Sequence, residues 1–156
     1  DVKPISIRGL TEGISYTLGQ CCHPLPGDRI VGLNTPGEGL VIHTIDCAEL
    51  DKAHDMNNWL DVGWGHGASD MGLSVARIQV RVKNTPGALA SAMSAVAING
   101  GNISNLKLTE RNPLYFEFYV DVEVRDVAHL QNILGALRVS DSVESVDRVR
   151  EAETVQ

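Results

Sequence analysis

The side chains best suited to chemistry in this sequence are three cysteines and a histidine. Cys21 and Cys22 are adjacent, and Cys47 follows four residues after His43. Thiolate and imidazole are ligands that Zn²⁺ prefers in a tetrahedral site, so these side chains form a chemically complete set. Adjacent cysteines depart from the usual zinc-site spacing of about two to four residues, and a metal-free domain with buried thiols would have the same sequence. Both interpretations are open.

His23 is a second candidate imidazole beside the cysteine pair. It is a reserve metal ligand if the local loop prevents both Cys21 and Cys22 from reaching the ion. The simpler interpretation is a solvent-facing histidine before a proline. A further alternative is an oligomerisation module whose cysteines are redox sensors, which predicts thiols that are readily modified even when zinc is supplied.

The composition allows two modest domains. The chain has 156 residues, of which 43% are hydrophobic, and domains commonly run from about 50 to 200 residues. The net charge is -7: residues 1–72 hold 4 Lys and Arg against 10 Asp and Glu, whereas residues 73–150 hold 9 against 8. Neither half has the basic excess that general binding to a phosphate backbone requires.

Nothing in the sequence predicts a membrane span or a targeting segment. There is no run of about 18 apolar residues, and no basic segment followed by an apolar one at the start. Three cysteines, two of them adjacent, make a poor disulfide framework and favour a reducing cytoplasm. The first residue, Asp1, suggests a cut inside a longer protein.

Apolar periodicity in the second half predicts alternating strands and helices. Four glycines in ten residues make residues 63–72 a flexible linker. Alternation over residues 76–82 then predicts a strand with one buried face, and the break at residues 84–87 places Pro86 near the start of a helix. The expected apolar stripe of this helix is Leu89, Ala92, Met93, Val96 and Ala97.

The rest of this half continues the pattern. Gly100 and Gly101 are expected to end the helix, and a second strand follows at about residues 103–109. After a turn at residues 111–113, a third strand has the clearest alternation in the sequence. Its apolar positions are Leu114, Phe116, Phe118, Val120, Val122 and Val124. Its opposite face carries Tyr115, Glu117, Tyr119, Asp121 and Glu123.

A second helix and a last strand complete the predicted domain. Asp126 is placed to cap the helix, and residues 143–149 predict the strand. The apolar stripe of the helix is Leu130, Ile133, Leu134 and Leu137. The order β-α-β-β-α-β is that of the ferredoxin-like fold, in which two helices cover one face of a four-stranded antiparallel sheet.

The first half is less regular, and only short elements are expected there. They are strands at residues 5–8, 15–18, 28–33 and 40–43, a helical turn at residues 48–52 and a closing strand at residues 59–62.

Two sets of motifs resemble one known family. The block Cys-Cys-His-Pro-Leu-Pro-Gly-Asp at residues 21–28, with residues 39–47 after it, resembles the zinc-finger region of long RelA/SpoT homologues. These proteins make and degrade guanosine tetra- and pentaphosphate. Residues 84–89 and 101–104 look like the two signature loops of the ACT domain that closes those proteins. The cysteine block is specific to the family, and the order of the two modules makes the identification firm.

The resemblance implies an α+β chain with two modules. Residues 1–64 are expected to form a small mixed α/β zinc-finger-like module, residues 65–72 a Gly-rich linker, residues 73–150 a ferredoxin-like βαββαβ ACT domain and residues 151–156 a tail. The family's hydrolase and synthetase domains would lie upstream. The chain is therefore expected to be no enzyme itself but the C-terminal regulatory part of a bifunctional (p)ppGpp synthetase/hydrolase of the stringent response.

The resemblance also implies ligands and partners. It favours structural zinc on Cys21, Cys22, His43 and Cys47, and it implies that the cysteine module helps docking on the ribosome. Any contact with ribosomal RNA should be narrow, because the first half is acidic. ACT domains pair into homodimers and bind a small amino acid between the first loop of one subunit and the second strand of its partner. Binding of the amino acid would shift the balance between the upstream hydrolase and synthetase activities.

The residues at that expected seam suit a small aliphatic amino acid such as valine, isoleucine or leucine. The candidate ligand-binding residues are Asn84, Gly87, Ala88, Leu89, Asn102, Ile103 and Ser104. Backbone N–H groups at residues 87–89 open a helix and can receive a carboxylate. Asn84 and Asn102 offer amide groups, and Leu89 and Ile103 offer apolar surface. The alternative is that the asparagines are only turn residues and the apolar pair only core.

An RNA-binding module is the strongest rival function, because RRM domains share the β-α-β-β-α-β order. Tyr115 and Tyr119 would lie on the open face of the third strand, where bases could stack. Their neighbours Glu117, Asp121 and Glu123 would repel phosphate. A ligand-independent dimerisation module is the second rival, and a free-standing enzyme is disfavoured because we find no nucleophile paired with a base and no phosphate loop.

Overall fold

The described residues fall into two units. The structure, a computed structural model, describes residues 7–9, 15–52, 59–65 and 72–149. One unit extends up to Gly72, and the other is Leu73–Val149. The expected tail at residues 151–156 and most of the expected linker at residues 65–72 lie outside the described residues.

The first unit is built from short strands. In chain order they are β1 (Ile7–Arg8), β2 (Tyr16–Leu18), β3 (Ile30–Thr35), β4 (Gly39–Thr44), β5 (Trp59–Leu60) and β6 (Gly63–Trp64). A 3₁₀ helix, Ala48–Lys52, lies between β4 and β5 at the position predicted for a helical turn. Four strands form one sheet in the order β2-β4-β3-β5, and β1 pairs with β6.

The β3–β4 hairpin is the centre of this sheet. The two strands pair antiparallel from Ile30 opposite Thr44 to Thr35 opposite Gly39. Gly37 and Gly39 both have positive φ in the turn, a backbone conformation that glycine adopts without steric cost. β2 pairs parallel with the other side of β4, with Leu18 opposite Ile42. The chain that follows β2 therefore emerges beside the end of β4.

Two expectations for the first unit need correction. The predicted closing strand at residues 59–62 is instead two short strands, of which β5 pairs with β3 and β6 with β1. Gly63 and Trp64 are therefore not part of a flexible linker. The indole N–H of Trp64 donates to the Asp28 carbonyl oxygen at 2.8 Å, a contact that glycine counting could not predict.

The second unit has the predicted element order. Its elements are β7 (Ser74–Lys83), α1 (Ala88–Ile98), β8 (Asn102–Arg111), β9 (Tyr115–Val124), α2 (Val127–Arg138) and β10 (Val143–Arg148). The strands form one antiparallel sheet in the order β10-β7-β9-β8, so β8 lies at an edge. The predicted ferredoxin-like α+β fold is confirmed. None of the helices in the described ranges is long and apolar enough to cross a bilayer.

The core of the second unit lies between the sheet and its helices. α1 packs against β7 and α2 against β10, and the alternating apolar positions of β7 and β9 are buried beneath them. The apolar stripe predicted for α2 is buried throughout. Two predicted core positions are wrong. Ala97 is exposed while Ala88 is buried, and Leu114 is 77% exposed because it lies in the turn before β9.

Hydrogen bonds explain where α1 ends and where α2 begins. The N–H groups of Gly100 and Gly101 donate to the carbonyl oxygens of Ala97 and Val96, each at 3.0 Å, and Gly100 has a φ of 79°. This is the Schellman arrangement that ends helices at a glycine. Asp126 caps α2, as predicted, by accepting the His129 N–H at 2.8 Å.

Candidate functional site

Two turns and one strand bring the four candidate metal ligands together. Cys21 and Cys22 lie in the turn after β2, where the His23 N–H donates to the Gly19 carbonyl oxygen at 3.0 Å. His43 lies near the end of β4, and a turn closed by the Cys47 N–H and the Thr44 carbonyl oxygen, at 3.0 Å, follows it. The parallel pairing of β2 with β4 places the two turns side by side.

The distances within this group fit a tetrahedral ion. The Cys21 sulfur lies 3.2 Å from His43 Nδ1, 3.3 Å from the Cys47 sulfur and 3.8 Å from the Cys22 sulfur. All four candidate ligand atoms lie within 4.8 Å of one another. Ligands about 2.0–2.3 Å from a tetrahedral Zn²⁺ are roughly 3.5–3.8 Å apart, so an ion fits between these atoms with small shifts.

Burial favours the neutral form of both the thiols and the imidazole in this cluster. Burial raises the pKa of the Cys21 thiol, and neighbouring Cys47 and Cys22 raise it further. Burial likewise raises the pKa of Cys22. Burial lowers the pKa of His43, so its imidazole is neutral and has a free lone pair. A divalent cation would supply the positive charge that crowded thiolates require.

Apolar residues pack against the candidate cysteine ligands. Cys22 and Cys47 are buried with Leu33 and Leu50, and Trp59 packs against the same group. His23 does not belong to the group of potential ligands within the described ranges. His23 has a φ of 48° in the turn after Cys22. The imidazole that faces the sulfurs is that of His43, through its Nδ1 atom. The structure thus brings together both adjacent cysteines, which spacing alone left open.

Thr44 is a neighbour of the cluster that sequence reasoning missed. Its N–H donates to the Cys22 sulfur at 3.3 Å. The only signal in the sequence is that it follows His43, and residue type alone does not distinguish this threonine from others.

The first group of candidate amino-acid ligands surrounds the start of α1. Gly87 is the N-cap residue, has a φ of 81° and provides no side-chain cap. The Asn84 amide nitrogen donates to the Asn112 carbonyl oxygen at 2.8 Å, which holds the loop against the β8–β9 turn. The Ala88 N–H already donates to the Thr85 carbonyl oxygen at 3.2 Å. Leu89 is half-buried beside it.

The second group lies at the start of β8. Asn102 is exposed, and its amide nitrogen donates to Glu123 Oε1 at 2.7 Å. The Ser104 hydroxyl donates to the Asp121 carbonyl oxygen at 3.3 Å. Ile103 is half-buried, opposite Val122 of β9.

A single protomer does not bring these two groups together. Lys83 pairs with Tyr115 at one end of the sheet, and Asn102 pairs with Glu123 at the other. At about 3.3 Å per residue along β9, the two groups are roughly 25 Å apart. The end of β8, with Arg111 opposite Phe116, lies at the same end as the first loop. An antiparallel partner β8 would therefore place its own start near that loop.

The open face of the sheet is occupied by ion pairs. Arg77 makes two hydrogen bonds to Asp121, at 2.8 and 3.1 Å, and Arg81 makes two to Glu117, at 2.9 and 3.3 Å. Tyr119 is only 5% exposed. The face therefore offers little stacking surface and few uncompensated cations to RNA, which weakens the RNA-binding alternative. Opposite charges on neighbouring strands were the sequence signal for these pairs.

Family models match both units of the chain. The model described as the RelA/SpoT RIS domain matches residues 5–65. A model described as an ACT domain matches residues 74–148.

Curated relatives match much of the chain. The GTP pyrophosphokinase rsh of Brucella ovis is 40% identical over 126 residues, which are 80% of this chain and 17% of that protein. The bifunctional (p)ppGpp synthase/hydrolase SpoT of Escherichia coli is 31% identical over 147 residues, which are 94% of this chain and 20% of that protein. The chain thus spans about a fifth of the length of these relatives.

Two solved ACT-domain structures are similar to part of the chain. A crystal structure of the ACT domain from the GTP pyrophosphokinase of Chlorobium tepidum covers 47% of this chain and 95% of that one, with 19% identity and a TM-score of 0.42. A solution structure of the same domain covers 52% and 91%, with 18% identity and a TM-score of 0.44. From the two family models and the curated relatives, the chain belongs to the RelA/SpoT family and corresponds to its C-terminal regulatory region, a RIS domain followed by an ACT domain.

Proposed function

We propose that the ACT unit binds a small aliphatic amino acid at the seam of a homodimer and thereby biases the synthetase and hydrolase activities of the whole protein. The observation that carries this proposal is the separation of the two candidate groups within one protomer. They lie at opposite ends of the sheet, and β8 forms the edge between them. If two copies of the chain paired antiparallel through β8, each end of the seam would bring one first loop beside the start of the partner's β8, and the dimer would contain two sites.

The first loop has the features of a carboxylate site. Gly87 begins α1 without a side-chain cap, so the positive end of the helix is open to a ligand anion. A Cβ placed on Gly87 would meet no atom within 4 Å, so the space beside it is open. Asn102 of a partner would add an amide group and Ile103 an apolar wall, which suits valine, isoleucine or leucine.

The edge of the sheet supports the dimer. β8 is ten residues long and pairs with β9 along one side only. Its side chains Leu106 and Leu108 are 43% and 47% exposed, although they face the same side as the core positions Val120 and Phe118. An unpaired strand with exposed leucines is suited to pairing with a second copy.

Regulation follows from differential affinity. If the amino acid binds one arrangement of the ACT pair better, it shifts the balance of the attached catalytic domains by the same coupling free energy, typically about 1–3 kcal/mol. Amino-acid plenty would then favour hydrolysis of the guanosine polyphosphates.

Calorimetric titration of the chain with each of the twenty amino acids tests this proposal. We expect saturable binding of aliphatic amino acids, and its loss in Gly87→Ala and Asn102→Ala. Gly135→Ala is the matched control, because Gly135 lies in α2 with open space around it. Absence of binding by an intact dimer would refute the sensor function and leave the ligand-independent dimerisation module.

We propose that Cys21, Cys22, His43 and Cys47 hold a structural zinc ion in the RIS unit, and that the unit boundary lies between Trp64 and Leu73. The ligand distances, the burial and the neutral imidazole support the metal. The family resemblance supports a contact of this unit with the ribosome. Cosedimentation with ribosomes tests that contact, and its failure for a zinc-loaded chain would argue against it.

A further inference from the structure

One buried hydroxyl beside the cysteine cluster is unexplained by the fold. Thr44 is 1% exposed, and its Oγ1 atom has no hydrogen-bond partner among the described residues. Buried polar atoms in folded proteins nearly always have a partner, so an orphaned hydroxyl requires an explanation. A leucine or valine at this position would avoid the desolvation of the hydroxyl, and three other buried residues of β4, Leu40, Val41 and Ile42, are apolar.

The reactive group that lies against Thr44 is the sulfur of Cys22. The Thr44 N–H donates to this sulfur at 3.3 Å, so the residue already lies against it. A neutral thiol is a weak acceptor, whereas a thiolate accepts strong charge-assisted hydrogen bonds. Although burial raises the pKa of Cys22, the N–H of Thr44 opposes that rise, because it favours negative charge on the sulfur.

A second orphaned donor lies in the same shell. The indole Nε1 of Trp59 is buried without a partner among the described residues, and the residue packs against the buried cluster that contains Cys22 and Cys47. Both side-chain atoms that are buried and unpaired in the described ranges therefore belong to residues that contact the cysteine cluster. A metal-bound thiolate is a stronger hydrogen-bond acceptor than a thiol, so unpaired donors beside the cysteines suit a metal-loaded site.

We propose that Thr44 is a positioning residue of the metal centre, whose hydroxyl donates to the Cys22 sulfur when that sulfur is a metal-bound thiolate. With its N–H on the same sulfur, Thr44 would hold Cys22 in the ligand geometry and spread its negative charge. This inference rests on the proposed zinc site. Partners of metal ligands of this kind commonly change metal affinity by about 10- to 100-fold.

The test compares two substitutions that differ in one group. Thr44→Val keeps the shape and removes the hydroxyl, whereas Thr44→Ser keeps the hydroxyl and removes the methyl group. Thr35→Val is the matched control, because the Thr35 hydroxyl donates to the Leu33 carbonyl oxygen at 3.4 Å within β3. Zinc affinity is measured by competition with a chromogenic chelator, and the sulfur-to-cobalt charge-transfer band of the Co²⁺-loaded chain reports the thiolates.

We expect Thr44→Val to lower zinc affinity by about tenfold or more and to shift the cobalt band, with Thr44→Ser and Thr35→Val close to the wild type. The metal-free Thr44→Val chain should melt at the same temperature as the wild type or higher, since it no longer buries an unpaired hydroxyl. A role in packing alone would instead lower the melting temperature of the metal-free chain.

The outcomes separate the two proposals. Equal zinc affinities and cobalt spectra for wild type and Thr44→Val would overturn the role of Thr44 while leaving the metal centre in place. A wild-type chain that binds no zinc at micromolar concentration would overturn the metal centre, and the role of Thr44 with it.

Discussion

At the scale of residues, the adjacent cysteines reach one centre because the turn before them is tight. A Cβ on Gly19 would lie 3.0 Å from His43 Nδ1 and 3.3 Å from the Cys21 sulfur. The absence of a side chain there lets the turn approach the imidazole. Cys21 is the most central of the four candidate ligands, and the backbone N–H of Thr44 donates to Cys22.

The two candidate histidines provide a residue-scale prediction. We expect His43→Asn to lower zinc affinity by about tenfold or more, because it removes one of the four proposed ligands, whereas His23→Asn should keep stoichiometric zinc. Asparagine tolerates the positive φ of 48° at residue 23. Metal analysis after gel filtration, followed by chelator competition, measures both variants. Retention of zinc by His43→Asn and its loss from His23→Asn would reverse the assignment of the ligand.

At the scale of elements, the close contact of the α1–β8 corner with α2 decides the packing of the ACT unit. Gly101 lies where α1 ends and β8 begins. A Cβ there would lie 2.8 Å from Ile133 Cδ1 and 2.9 Å from methyl groups of Val122 and Val96. A helix, a strand and the neighbouring helix thus meet at a position that only glycine fills without displacement.

Two glycine substitutions should change the free energy of unfolding in opposite directions. Gly101→Ala should lower the free energy of unfolding by about 1–3 kcal/mol, because the added methyl group overpacks the core. Gly135→Ala should raise it by about 0.5–1 kcal/mol, since Gly135 lies inside α2 with open space around it. Urea denaturation followed by circular dichroism measures both changes. A neutral Gly101→Ala variant would show that the corner is looser than the distances indicate.

At the scale of the whole molecule, the proposed amino-acid site depends on the edge strand β8. The two candidate groups are separated by the length of the sheet in one protomer, so the proposed site requires a second chain. The open face does not compete for that role, because the ion pairs Arg77–Asp121 and Arg81–Glu117 satisfy its charges internally.

Charged substitutions on the edge strand test the dimer. We expect the double variant Leu106→Glu and Leu108→Glu to shift the chain from dimer to monomer and to abolish amino-acid binding, because like charges would meet across the β8 seam. Val139→Glu is the control, since Val139 is an exposed apolar residue at the end of α2. Analytical ultracentrifugation measures the mass. A double variant that remains dimeric would exclude the β8 edge as the interface.

The sequence by itself determined the features that depend on short-range interactions. Side-chain periodicity predicted the six elements of the ACT unit, because burial of one face repeats along each strand and helix. Residue type at Asp126 predicted the cap, and the affinity of thiolate and imidazole for zinc predicted the ligand candidates. Errors fell where a residue left its element, as for Leu114 in a turn.

Only the tertiary structure decided the features that depend on contacts between distant segments. The parallel pairing of β2 with β4 brings Cys22 beside His43, and the strand order puts β8 at the edge. Gly63 and Trp64 became a strand through pairing with β1, not through any local preference. Such pairings are chosen by the packing of the whole unit, since the same alternating pattern fits several strand orders. For that reason the sequence supplied the ligands, and the fold decided which of them meet.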